Sequence, residues 1–149
     1  MNDKQLALAK AIAKYEAQGY IVRTEEVSLN KIKGIYEVRG YQVIAIKGIY
    51  EVRESYNKNG QKKYIHNYKN NKYHGKAEGW FEDGQNHYIS NFKNGKLDGE
   101  QKRWYTNRQL WHICNYKDGK IDGLLFEWNK DGTPDPTELW ENGKFIKNI

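Results

Sequence analysis

A chain of 149 residues can bury one modest core, and an aromatic share of 14% argues against the disorder that a mean hydropathy of −1.03 would otherwise suggest. Its 25 basic and 19 acidic residues are spread along the whole length, so a net charge of +6 forms no basic stripe of the kind a nucleic-acid footprint needs. The single cysteine, Cys114, excludes an internal disulfide and is expected as a half-buried strand thiol rather than a nucleophile.

No apolar run is long enough for a membrane-spanning helix and the N-terminus lacks the apolar segment of a signal peptide, so a cytoplasmic location is expected. Residues 3–18, DKQLALAKAIAKYEAQ, predict a helix capped by Asp3, with Leu8, Ile12 and Tyr15 at helical spacing and Gly19 to end it. The rest of the N-terminal part is rich in β-branched and aromatic residues and predicts strands. Within it IKGIYEVR occurs at 32–39 and again at 46–53, a duplicated strand-plus-turn unit with Gly40 near the intervening bend. Copies so spaced could exchange register.

From Tyr56 onward the sequence repeats every 24 residues. Tyr56, Trp80, Trp104 and Trp128 are in phase, as are Gly75, Gly99 and Gly123, then Ile65, Ile89 and Ile113, then Tyr68, Phe92 and Tyr116. A fixed period of this kind marks a stacked repeat array. The chain therefore divides into a helix-and-strand cap, 1–55, and an array, 56–149. Pro134 and Pro136 stretch the last unit and are expected to stop further strand pairing.

Eight of the 14 glycines follow Asn or Asp, the dipeptides that supply the positive φ angles of two-residue hairpin turns. A turn at Asp83-Gly84 pairs Phe81 with Asn86, Trp80 with His87 and Glu78 with Ile89. One at Asn94-Gly95 pairs Phe92 with Leu97 and Ser90 with Gly99. One at Asp118-Gly119 pairs Tyr116 with Ile121 and Ile113 with Leu124. One sheet face then gathers Trp80, Trp104, Trp111, Trp128, Ile65, Ile89, Ile113, Leu124 and Phe126. The other gathers Tyr64, Tyr68, Phe81, Tyr88, Phe92, Tyr105, Tyr116, Leu97 and Ile121. The Trp/Ile face, with fewer hydroxyls, is expected inside. Each unit is one hairpin, too small to be stable alone, and stacking supplies its core.

Little in this pattern suggests catalysis. His66, His74, His87 and His112 share no phase that would gather three metal ligands. The acids are mostly turn residues, the glycines mark hairpin tips rather than a phosphate cradle, and no nucleophile has a positioned base. No enzyme activity, metal or cofactor is expected. Aromatics on a sheet could stack single-stranded bases, but they lack interleaved arginines here, and a tyrosine- and tryptophan-rich array better suits protein binding.

The segments YKNNKYHGKAEGWFEDGQ, FKNGKLDGEQKRWYTNRQL and YKDGKIDGLLFEWNKDG resemble the MORN repeat in its bacterial variant form, over residues 56–145. Asn71 and Arg108 stand where that pattern has turn glycines. The resemblance implies a mainly β fold, an elongated single-layer antiparallel meander of stacked hairpins. It also implies a cytoplasmic immunity or antitoxin protein that binds a cognate protein toxin. The wider repeat family implies an alternative, a peripheral adaptor for anionic lipid, and an open sheet edge offers another, self-assembly. The expected partner contacts are Tyr64, Tyr88, Arg103, Tyr105 and His112, which the registers above place on the less buried face.

Overall fold

The computed structural model of the chain describes residues 2–32 and 35–149, and within 27–39 only the backbone. The first copy of IKGIYEVR therefore lies outside the described side chains. The fold is mainly β, and the described residues form one helix and twelve antiparallel strands that follow one another as consecutive hairpins. It divides into two compact units, Met1–Asn71 and Lys72–Ile149. The repeat phase begins at Tyr56, but strand β3 (Tyr50–Asn57) crosses that point and pairs within the first unit, so packing and repeat phase divide the chain at different places.

In the first unit, helix α1 (Asp3–Glu16) packs against β1 (Ile21–Ile32) and β2 (Ile35–Lys47), and the sheet continues through β3 to β4 (Lys62–Lys69). The cap is Asn2 rather than Asp3. Its side chain accepts from the Gln5 amide while the Gln5 side chain accepts from the Asn2 amide, leaving Asp3 free to favour the positive end of the helix dipole. Ala11 and Tyr15 are buried on Val43, Ala45, Val52 and Tyr56, with Ala7, Leu8 and Val22 around them. Gly40 is not at a bend. It lies inside β2, where a Cβ would overlap the Tyr56 carbonyl oxygen, so the strand can approach its neighbour only without a side chain there. The second IKGIYEVR copy does enclose a turn, at Gly48-Ile49.

The second unit runs β5 (Lys72–Trp80), β6 (Asn86–Lys93), β7 (Lys96–Leu97), β8 (Gly99–Trp104), β9 (Leu110–Lys117), β10 (Lys120–Glu127), β11 (Glu138–Glu141) and β12 (Lys144–Asn148). Two kinds of turn alternate along the chain. Asn94-Gly95, Asp118-Gly119 and Asn142-Gly143 are two-residue turns with φ positive at both positions, as expected. Asp83-Gly84 is different. Phe81–Gln85 encloses three residues, closed by Gly84 N–H to Phe81 O and by Phe81 N–H to Gln85 O, with an extra residue, His87, opposite Gly79 and Trp80. The same closure recurs at 57–61, 105–109 and 129–133, and its left-handed position is held by Gly60, Gly84, Arg108 and Gly132.

These loops and the glycine bulges change the expected registers. Glu78 faces Ile89, Phe92 faces Leu97 and Tyr116 faces Ile121, as predicted. Trp80 faces Asn86 instead of His87. On the β6 side of β8 the register Tyr88–Arg103, Ile89–Lys102 brings Gln101 rather than Gly99 to Ser90, and Ile113 faces Phe126 rather than Leu124, because positive-φ bulges at Gly99 and Gly123 insert extra residues. The prolines do not end pairing. Pro134 bridges Trp128, and β11 then pairs with both β10 and β12.

The Trp/Ile face is not the buried one. Ala77, Ser90, Gln101, Cys114 and Leu125 lie side by side across the strands of the opposite face, all at most 8% exposed. On the expected core face Glu78, Ile89, Lys102, Ile113 and Phe126 share one row, and the ion pairs Lys76–Glu78 (2.6 Å) and Lys102–Glu100 (2.9 Å) keep that face wet. Charge decides the face more strongly than ring count does, because an ion withdrawn from water loses more than an aromatic ring gains.

Each hairpin is tied to the next by main-chain groups. The turn amides of Gly95, Gly119 and Gly143 donate to Tyr73 O, Leu97 O and Ile121 O, each at 2.8 Å. One residue earlier, the amides of Asn94, Asp118 and Asn142 donate to the side chains of His74, Asp98 and Asp122. The 24-residue period is thus the spacing at which one turn satisfies the next.

Candidate functional site

Strands β6, β8 and β9 set Tyr88, Arg103 and His112 directly opposite one another, and the row extends to Gly79 on one side and Glu127 on the other. It lies two residues along from the buried Ala77–Leu125 row and so on the same face, not on the less buried face expected for these contacts. Opposed residues in such rows have Cβ atoms about 4.5–5.5 Å apart, close enough for their side chains to interact. Gly79 is buried and a Cβ there would overlap the Tyr88 ring, so the ring is seated on bare backbone. Arg103 occupies the centre. Its Nε is buried and has no hydrogen-bond partner. A guanidinium N–H without an acceptor is costly, and a carboxylate or carbonyl oxygen arriving at that position would relieve it.

His112 is oriented by a chain of hydrogen bonds. Gln101 donates from Nε2 to Ser90 Oγ at 3.1 Å, so its Oε1 is the acceptor that faces His112 Nε2 at 3.1 Å and assigns the imidazole proton to Nε2. Burial, then the charge of Arg103, pushes the His112 pKa below the ordinary value, and His87 is lowered for the same two reasons. Glu127, across from His112, is pushed up by burial and by Glu138 and Asp135. The row therefore presents one cation flanked by neutral rings. Cys114, buried in the adjacent row, has its thiol pushed up by burial, as suits an inert thiol.

The other two expected contacts are elsewhere. Tyr105 begins the 105–109 loop and stacks on Trp111 at 5.6 Å, because the bulge that places Trp104 opposite Leu110 makes Trp111 the extra residue. Tyr64 belongs to the first unit, where it accepts from Gln42 Nε2 at 2.8 Å and stacks on His66 at 4.2 Å.

Sequence reasoning missed Glu54. This carboxylate is 1% exposed and receives hydrogen bonds from the Tyr15 and Tyr56 hydroxyls and from Lys14 Nζ at 3.0 Å, with Lys62 Nζ at 3.6 Å. Burial alone would raise its pKa, but the hydrogen bonds from Tyr15, Tyr56 and Lys14 outweigh it and hold the carboxyl below the usual range. An open pocket of about 310 Å³ adjoins it, floored by Ala7, Ala11 and Gly60. The signal was present in the alternation Val52, Glu54, Tyr56, which puts an acid on an inward-facing row. The cluster fastens α1 to β3, and every acceptor of the carboxylate is engaged.

Among the described residues no three His, Cys, Asp or Glu side chains gather as a metal site would require, and no helix is long and apolar enough to cross a membrane. No family model and no curated protein matches the chain. A solved structure described as "Crystal Structure of TarM" aligns over 98% of this chain and 26% of its own, at 14% identity and a TM-score of 0.25. The chain thus spans about a quarter of that protein's length.

Proposed function

We propose that the chain is a non-catalytic protein-binding module, an immunity or antitoxin protein that occludes a cognate toxin in the cytoplasm. The observation that carries the reading is the buried, unpartnered Nε of Arg103 in register with Tyr88 and His112. Arginine and tyrosine are frequent interface anchors, and an acceptor from a partner would complete the guanidinium. The MORN-like repeats support the same class of function. The net charge of +6 favours an acidic partner through the rate of encounter rather than through affinity.

Co-expression with the product of the neighbouring gene should yield a copurifying complex that rescues cells from that product, and Arg103→Gln should weaken it. A soluble product that neither binds nor is neutralised would overturn the reading. One observation favours a second: among the described residues β12 pairs with β11 alone and all five of its residues are exposed, an edge for strand addition by another copy. Sedimentation across a concentration series separates the two, since self-assembly needs no second gene product.

A further inference from the structure

The loops Phe81–Gln85 and Tyr105–Gln109 lie beside a second pocket of about 330 Å³, lined by Gly84, Gln85, Asn86, Trp104 and Arg108. Three features set it apart from the sister loops. Gln85 Nε2 donates to the Asp83 carboxylate, which fixes the orientation of the amide and leaves Oε1 as the acceptor, yet that buried Oε1 has no donor. In loop 57–61 the corresponding oxygen, Gln61 Oε1, takes the Asn57 side-chain amide at 3.1 Å; Phe81 stands in the place of Asn57 and offers nothing. At the left-handed position the sister loops keep Gly60, Gly84 and Gly132, whereas Arg108 occupies it at φ 74°, a conformation that side-chain-bearing residues adopt at a cost. Among the described residues, the Arg108 guanidinium, the Asn86 amide and the Trp104 indole N–H have no hydrogen-bond partner, and Trp104 makes no ring contact.

We propose that this pocket binds a saccharide ring. A ligand here must donate to Gln85 Oε1, accept from Arg108, Asn86 and Trp104 Nε1, and present a flat apolar face to the indole. Hydroxyl groups both donate and accept, so adjacent hydroxyls on one ring can meet the acceptor and the donors together. The C–H face of a pyranose packs on the indole. A volume of about 330 Å³ is at the small end of ligand pockets, which run from about 300 to 1,000 Å³. One repeat later the equivalent of Asn86 is Leu110, so the same polar set is not repeated. The site is independent of the Tyr88–Arg103–His112 row and of the toxin reading.

The test is a heteronuclear NMR titration of the full chain with methyl β-D-glucopyranoside and, separately, D-glucuronate, with sorbitol and adenosine as comparisons. Either sugar should move the Trp104 Nε1–H and Gln85 side-chain amide resonances while leaving the Trp140 indole N–H, already bonded to Glu138 Oε2 at 2.7 Å, in place. Tighter binding of glucuronate would show that Arg108 selects an acidic sugar, a refinement within the proposal. Arg108→Gly restores the sister-loop glycine and should raise the melting temperature while weakening sugar binding about tenfold, the loss of one charged hydrogen-bond donor. Trp104→Phe keeps a ring for packing and should also weaken binding. Neither sugar moving these resonances, sorbitol matching the pyranose, adenosine outcompeting it, or Arg108→Gly leaving binding unchanged would each overturn the proposal.

Discussion

The Tyr15 hydroxyl of helix α1 donates to the buried carboxylate of Glu54 on β3, joining groups 39 residues apart in the chain. Helix and sheet are thereby fastened by a charge that the fold keeps ionised. A carboxyl with a lowered folded pKa binds fewer protons than it does unfolded. Its contribution is therefore present above the unfolded value of about 4.3 and is lost as pH falls through the folded one. Glu54→Gln replaces one acceptor oxygen by an N–H donor that faces a tyrosine hydroxyl or a lysine, and should cost about 1–3 kcal/mol at pH 7. Urea denaturation of both proteins between pH 7 and pH 3 should show the wild type losing its advantage at the acid end. A constant difference over the whole range would remove Glu54 from the pH response.

The face assignment has its own test. Leu125→Ala empties a position 8% exposed and should cost about 2–5 kcal/mol, whereas Trp111, 37% exposed, stacked on Tyr105 and edge-on to His112, should cost about 1 kcal/mol on truncation to alanine. Denaturant midpoints with unchanged slopes give the comparison. The opposite order would return the core to the tryptophan face.

The repeat was legible in the sequence because positive φ angles demand particular residues. Asn94-Gly95 and Asp118-Gly119 could hardly be anything but tight turns. Asp83-Gly84 looked equivalent and was not, since Asp-Gly also suits a three-residue loop in which Asp83 Oδ1 accepts from the Gln85 amide at 3.1 Å. The difference lies in hydrogen bonds that no dipeptide displays. The buried face was obscured because rings occur on both sides; Glu78 and Lys102 between the isoleucines were the better guide. Tyr88, Arg103 and His112 share a face as the registers predicted, because bulges of even offset preserve it, but that face is the one that carries the buried row, while Tyr105 was lost to a one-residue bulge. Glu54 depends on Lys14 and Tyr15 of a distant helix, a relation outside any local period.

The ladder between turns predicts local rather than global effects. Asp122 Oδ1 accepts from the Asn142 amide at 3.0 Å at the tip of the β11–β12 hairpin. Asp122→Ala leaves that amide to water and should cost about 0.5–1.5 kcal/mol. Hydrogen exchange should quicken at Asn142 and Gly143 while the Ser90–Gln101–Cys114 row stays protected. Uniform loss of protection in the second unit would show that the turns hold the sheet together rather than finish its edge.

The partner surface can be probed without removing any residue expected to touch the partner. Gly79 lies beneath the Tyr88 ring, and Gly79→Ala inserts a methyl group where the ring rests. The backbone at Gly79 needs no positive φ, so alanine is tolerated by the strand and the ring must give way. The displaced ring changes the shape of the wall beside Arg103 while leaving the guanidinium and its charge in place. If Tyr88 and Arg103 together seat a partner, Gly79→Ala should weaken the complex with the neighbouring gene product by about 1–2 kcal/mol, mainly through faster dissociation. Arg103→Gln, which removes the charge, should cost more and should also reduce the salt dependence of association. Surface plasmon resonance at two salt concentrations separates the two effects. Unchanged dissociation in both variants, with circular dichroism confirming an intact sheet, would place the partner on some other face.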